Sequence, residues 1–222
     1  APVKAAYWVV AVALLFTAIP LVEYTGMLNR SVNFGKDLQV WAQGMEDDAL
    51  KTVQFLLRKG SISHLVLNLV FIAGFAAVGE ELFFRGVLQR LFIKGTSSPW
   101  AGIILAAFFF SFFHFQFFGF LPRLLLGIVL GAIFWYSGSL WTAIAAHFVY
   151  DAFIIMVIYF DQKMLQTPEA PMISASYLGM AAVASTVVTG LLIWWMKKNA
   201  TVSYAELYSD EDSEETEKEI TF

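Results

Sequence analysis

The sequence predicts an all-α, polytopic membrane helix bundle, with about six transmembrane helices and one interfacial amphipathic helix. Three observations carry this. Of the 222 residues, 59% are hydrophobic and only 14% are charged, whereas soluble domains average roughly 45–50% and about 25%. Apolar runs long enough to cross about 30 Å of hydrocarbon recur along the chain. The few ionisable residues inside those runs are clustered rather than scattered.

The apolar runs give the elements in order. Ala5–Val22 reads as the first span; no small-x-small cleavage site follows it, so it is read as a retained helix rather than a signal peptide. Gly60–Gly79 is the second, broken only by His64 and running directly into Glu80. Thr96–Leu121 is the third and contains His114. Leu124–Tyr150 is too long for one span, and Ser137-Gly138-Ser139 divides it into a fourth span near 122–137 and a fifth near 140–160. Ala170–Met196 holds the sixth, stopped by Lys197-Lys198. Between the first two spans, Leu38, Trp41, Met45, Val53 and Leu56 share helical spacing, with Gln39, Glu46, Asp47 and Lys51 elsewhere. That pattern predicts an amphipathic helix lying in the membrane interface.

Residues 1–199 form one expected membrane-embedded domain, with a motif core over 60–160. Residues 200–222 are an acidic tail, expected to be disordered and cytoplasmic. Eight of the 18 acids fall between Glu206 and Glu219, so the net charge of -4 hides a mildly basic membrane part. No clustered basic face argues for nucleic acid. The absence of cysteine excludes disulfides, thiolate metal sites and cysteine nucleophiles. By the positive-inside rule, Lys197-Lys198, Lys4, Arg90 and Lys94 place both termini in the cytoplasm of a multi-pass protein, read as one of the bacterial inner membrane. Arg123, Lys163 and the basic residues before the second span fall outside, against that rule.

Ionisable residues within spans are costly and are functional candidates by default. Here they are Glu80, Glu81, Arg85, His114, His147 and Asp151. In a helix, Glu81 and Arg85 share a face and pair, either as catalytic neighbours or as a structural tie between helices. Glu80 then points about 100° away, left without a cation and suited to general-base work. Phe110 and His114 share a second face. His147 and Asp151 form another i, i+4 pair, in which Asp151 accepts from one ring nitrogen and frees the other. His64 has no spaced acidic partner and reads as interfacial, with Asn68 bonding inside the bundle. Gly127 and Gly131 make a small-xxx-small packing face. The run Phe108-Phe109-Phe110 reads as lipid-facing bulk.

Taken in order, Glu80-Glu81-x-x-x-Arg85, Phe110-x-x-x-His114 and His147-x-x-x-Asp151 resemble the three-motif signature of the CAAX protease and bacteriocin-processing (CPBP) intramembrane peptidases, which include the Ras-converting CAAX endopeptidases. Gly79, Phe84-Arg85-Gly86 and Gly138-Ser139-Leu140-Trp141 match the motif surroundings. The resemblance implies helices around a water-open cavity. It implies Glu80 as the base that activates water, with Glu81 and Arg85 completing its motif. His114 and His147 would flank the scissile carbonyl, with Asp151 as partner of His147. The third motif ends in aspartate where CAAX-cleaving members carry asparagine, which argues against a prenylated substrate. Glu80, His114 and His147 would be the ligands of a divalent metal such as zinc if one is used. Without one, the histidines would serve as oxyanion donors.

The expected activity is therefore hydrolysis of a peptide bond in a membrane-associated protein or peptide. Two rivals come from other classes. A catalytically silent scaffold would bind a membrane-protein partner subunit. A proton-coupled transporter would use the same buried acids and histidines as a relay, but the inverted repeat that favours transport is missing.

Overall fold

The computed structural model describes residues 4–33, 35–166 and 174–200, and the acidic tail from Thr201 lies outside them. The described residues are helical, without strands. They comprise α1 (Ala5–Arg30), α2 (Lys36–Leu57), α3 (Ile62–Thr96), α4 (Pro99–Phe112), α5 (Phe120–Ser137), α6 (Leu140–Phe160) and α7 (Ala175–Asn199). Five are long and apolar enough to cross a membrane, namely α1, α3, α5, α6 and the α7 helix.

Boundaries follow local chemistry. Ser98 caps α4 by accepting from the Ala101 N–H, and Pro99 occupies the first turn, where its missing donor costs nothing. Gly138 ends α5 in the left-handed region at φ +66, as the Ser-Gly-Ser breaker predicts. Pro20 interrupts the hydrogen-bond ladder of α1. There Ser185 of α7 donates to the Thr17 carbonyl at 2.5 Å and accepts from the Leu21 N–H at 3.4 Å. A neighbouring helix thus bridges the Thr17 carbonyl and the Leu21 N–H beside the proline, where backbone groups in an apolar medium need a protein partner.

Two spans differ from expectation. The second does not end at Glu80. It continues as α3 for 35 residues, about 52 Å at 1.5 Å per residue, so the acidic pair sits mid-helix. Apolar runs mark helix length only where charges mark the ends, and here the charges lie inside. The third span is shorter than expected: α4 has 14 residues, about 21 Å, and His114 lies beyond its end. The chain turns there with Phe115 at φ +52 before resuming as α5.

The amphipathic helix expected between the first two spans is observed as α2. Ala42 and Leu57 are buried against the bundle, while Leu38, Trp41 and Leu56 remain exposed. Asn68 of α3 donates to the Leu56 carbonyl at 2.9 Å and fastens the end of α2. That is the in-bundle bond expected of Asn68.

The small-residue face of α5 does more than permit close packing. Arg85 donates to the Gly127 carbonyl at 3.1 Å and Gln89 to the Gly131 carbonyl at 3.0 Å. These pairs, four apart on both helices, lock α3 to α5. A Cβ at Gly127 would stand 2.9 Å from the Ala107 Cβ and 3.1 Å from its Cα. Backbone cannot yield as a flexible side chain does. Gly127→Ala is therefore expected to lower stability by about 1–3 kcal/mol, measured as a lower thermal unfolding midpoint in detergent.

Candidate active site

Glu80 and Glu81 lie in an α-helical stretch, Ala76–Glu81, between two widened π-type segments, Leu69–Phe75 and Leu82–Gln89. Such widenings are frequent at functional sites. Consecutive helical residues diverge by about 100°, and the two acids meet different surroundings. Glu81 turns into the bundle and is fully buried, whereas the Glu80 side chain stays 31% accessible.

Glu81 is the hub behind the site. Its Oε1 accepts from Arg85 Nη1 at 2.7 Å and lies 2.9 Å from His147 Nδ1. Arg85 is also buried, and its guanidinium stacks over the Phe110 ring at 4.7 Å. Phe110 in turn contacts the rings of both His114 and His147. The reading of Phe110 as lipid-facing bulk is thus corrected. Phe110 is buried, while Phe108 is exposed. Helical periodicity separates the two, and Phe110 points inward with the motif.

His147 of α6 pairs with Asp151 as expected, but its other nitrogen is not left free, because Nδ1 is held by Glu81. Its Nε2 faces Asp151 Oδ2 at 3.4 Å and Glu80 Oε2 at 3.9 Å. The i, i+4 relation places Asp151 beside the ring, but the adjacent α3 backbone brings Glu81 to the other nitrogen. Both nitrogens therefore have carboxylate neighbours. A carboxylate only accepts, so Nδ1 carries a proton toward Glu81. Nε2, Glu80 and Asp151 are all acceptors when deprotonated, so this arrangement favours a proton on Nε2, facing Asp151.

His114 sits in the turn after α4. Its Nδ1 lies 2.6 Å from the Phe110 carbonyl. A carbonyl oxygen only accepts, which assigns the hydrogen to Nδ1 and leaves Nε2 as the lone-pair nitrogen of the neutral ring.

Glu80, His114, His147 and Asp151 line one cavity of about 190 Å³. They come from α3, the turn after α4, and α6. Glu81 and Arg85 do not line it and support it from behind. His64 lies at the start of α3 and is not part of the cavity wall. Two further polar residues line it, Tyr150 and Arg123. Sequence reasoning took Arg123 only as a topology marker on the extracytoplasmic side; its place directly before the apolar run of α5 was the available signal.

Among the described residues, no three His, Asp or Glu side chains are grouped to hold a metal ion. The Nδ1 atoms of His114 and His147 are held by the Phe110 carbonyl and by Glu81, which leaves both Nε2 atoms as the nitrogens that would ligate a metal together with Glu80. No step below passes through a metal.

Because Glu81 also holds Nδ1, His147 does not depend on Asp151 alone for orientation. Asp151→Asn keeps an oxygen that can accept from Nε2. It is expected to cost less than the roughly 10²-fold that marks loss of an acid–base group, read from initial cleavage rates beside wild type.

No curated protein and no solved structure matches the chain. Residues 62–153, which hold all three motifs, match the family model described as type II CAAX prenyl endopeptidase, Rce1-like, in agreement with a chain of the CPBP family.

Proposed function

We propose that this protein is an intramembrane endopeptidase that hydrolyses a peptide bond of a membrane-associated protein or peptide. The observation that carries the reading is the convergence of Glu80, His114, His147 and Asp151 on a single cavity. The family match over the same segment supports it.

In the proposed reaction Glu80 takes a proton from water as the water oxygen bonds to the scissile carbonyl carbon. The carbonyl π electrons move onto oxygen. Protonated Nε2 of His147 donates to that oxyanion, which is where fixed donors contribute most, while the lone pair on His114 Nε2 accepts from the remaining hydrogen of the attacking water. Collapse of the tetrahedral species breaks the C–N bond, and the departing amine takes the proton held by Glu80. The Nδ1 contacts to Phe110 and Glu81 keep both Nε2 atoms as the groups available for this work.

The test is reconstitution in liposomes with membrane-anchored peptides in ¹⁸O-labelled water. Direct attack by water places one ¹⁸O in the new carboxylate within a single turnover. Absence of cleavage across peptides and co-expressed membrane proteins would leave the scaffold reading in place.

Orientation belongs to the same proposal. Lys4, Arg90, Lys94, Lys197 and Lys198 support a cytoplasmic location for both termini. A reporter fused after Ala200 is expected to be active on the cytoplasmic side, and activity outside would reverse the assignment.

A further inference from the structure

His114 is the cavity histidine that no helix carries. It is followed by Phe115 at φ +52, a left-handed conformation that a bulky residue adopts only when its surroundings enforce it. Three side chains brace this turn. Ser111 donates to the Phe120 carbonyl at 2.7 Å. Asn29 of α1 donates to the Phe117 carbonyl at 2.6 Å and accepts from the Leu121 N–H at 2.7 Å. Arg123, in the first turn of α5, donates from Nη1 to the Gln116 carbonyl at 3.0 Å and from Nη2 to the Gln116 side-chain oxygen. Of the three, Arg123 alone also lines the cavity with Glu80 and His114.

We propose that Arg123 is a positioning residue for His114. By gripping Gln116 through both backbone and side chain, it fixes the turn two residues beyond His114. That holds the imidazole over the cavity at the place where the scissile carbonyl is bound. The proposal rests on the peptidase reading for its catalytic consequence, but its geometric content stands separately. The grip needs a planar fork with two donors aimed at two acceptors, which a lysine ammonium does not reproduce. Glu46 of α2 and Glu80 of α3 both interact electrostatically with the Arg123 charge, and Trp41 of α2 packs on Phe117 at 5.1 Å. The turn is thereby tied to the interfacial helix as well.

The experiment uses the full chain in liposomes. Arg123→Lys is expected to lower kcat by roughly 10²-fold, the scale of an ångström-sized misplacement, with KM little changed. In a His114→Ala background the same substitution should add no further loss, because residues acting as one unit are non-additive. Additive losses would overturn the proposal. So would a raised KM with unchanged kcat, which marks a substrate contact instead.

A second arm needs no activity: ¹⁵N spectra of the histidine rings, with His114 assigned by its alanine variant. Arg123→Lys should shift the His114 signals and leave those of His147 in place. Unchanged His114 signals, or equal shifts in both rings, would refute positioning. If the wild type cleaves nothing, the peptidase reading fails while this arm still decides the geometry. Should Arg123→Lys not fold, Gln116→Ala removes only the side-chain acceptor. It should then give a smaller change of the same kind in both readouts, and no change would refute the proposal.

Discussion

Glu80→Gln is expected to lower kcat by roughly 10²–10⁴-fold, the usual contribution of a positioned general base, while leaving the folded yield and unfolding midpoint near wild type. An amide keeps the shape of the carboxylate but cannot take a proton from water. Its structural cost is small because Glu80 is partly accessible, and its nearest ionic contact, His147 Nε2, lies at 3.9 Å. The buried hub formed by Glu81, Arg85 and the other face of His147 stays intact. Glu80→Asp sharpens the test. It keeps the base but withdraws it by about one methylene, and a misplacement of this order costs about 10²-fold. Cleavage retained in Glu80→Gln would move the base elsewhere, with Asp151 the first alternative at 3.4 Å from the same nitrogen.

The parts of the fold that were legible in the sequence are those where burial in lipid and burial in protein ask for the same residues. Long charge-free runs located α1, α5, α6 and α7, and Gly138 marked a turn because an αL position favours glycine. The site was legible for the complementary reason. Charges in an apolar helix require partners, so Glu81 and Arg85 had to pair, and they do at 2.7 Å.

What sequence did not reveal depends on three-dimensional register. The π-type segments in α3 carry no residue type that distinguishes them from ordinary helix, and the continuation of that helix past Glu80 hid behind its own charges. The second partner of His147 was missed because i, i+4 spacing reports only neighbours on the same helix, and Glu81 is 66 residues away. His114 looked helical because Phe110 is one turn before it. The turn actually keeps that spacing through the bond from Nδ1 to the Phe110 carbonyl after the helix has ended. Arg123 was missed because a basic residue beside an apolar run reads as a topology marker, not as part of a cavity wall.

The largest stability effect should come from Arg85→Ala. Arg85 and Glu81 retain only 1% and 0% of their surface, and removing one partner of a buried pair costs about 3–5 kcal/mol because the other charge remains. The substitution also abolishes the bond to the Gly127 carbonyl and the contact with the Phe110 ring. Low folded yield and a sharply lower unfolding midpoint in detergent are expected. Arg85→Lys should fall between, since an ammonium lacks the fork that reaches Glu81 and Gly127 together. Wild-type yield and midpoint in Arg85→Ala would show that the pair does not stabilise the bundle. The double substitution Glu81→Leu with Arg85→Met separates fold from function. Replacing a buried ion pair by apolar residues of similar volume is often neutral or stabilising, so much of the lost stability should return. Activity should not, because Glu81 also holds His147 Nδ1 at 2.9 Å. Recovery of both fold and cleavage in the double variant would show that His147 needs no carboxylate behind it. Recovery of fold alone would assign the ion pair to stability and the Glu81–His147 contact to catalysis.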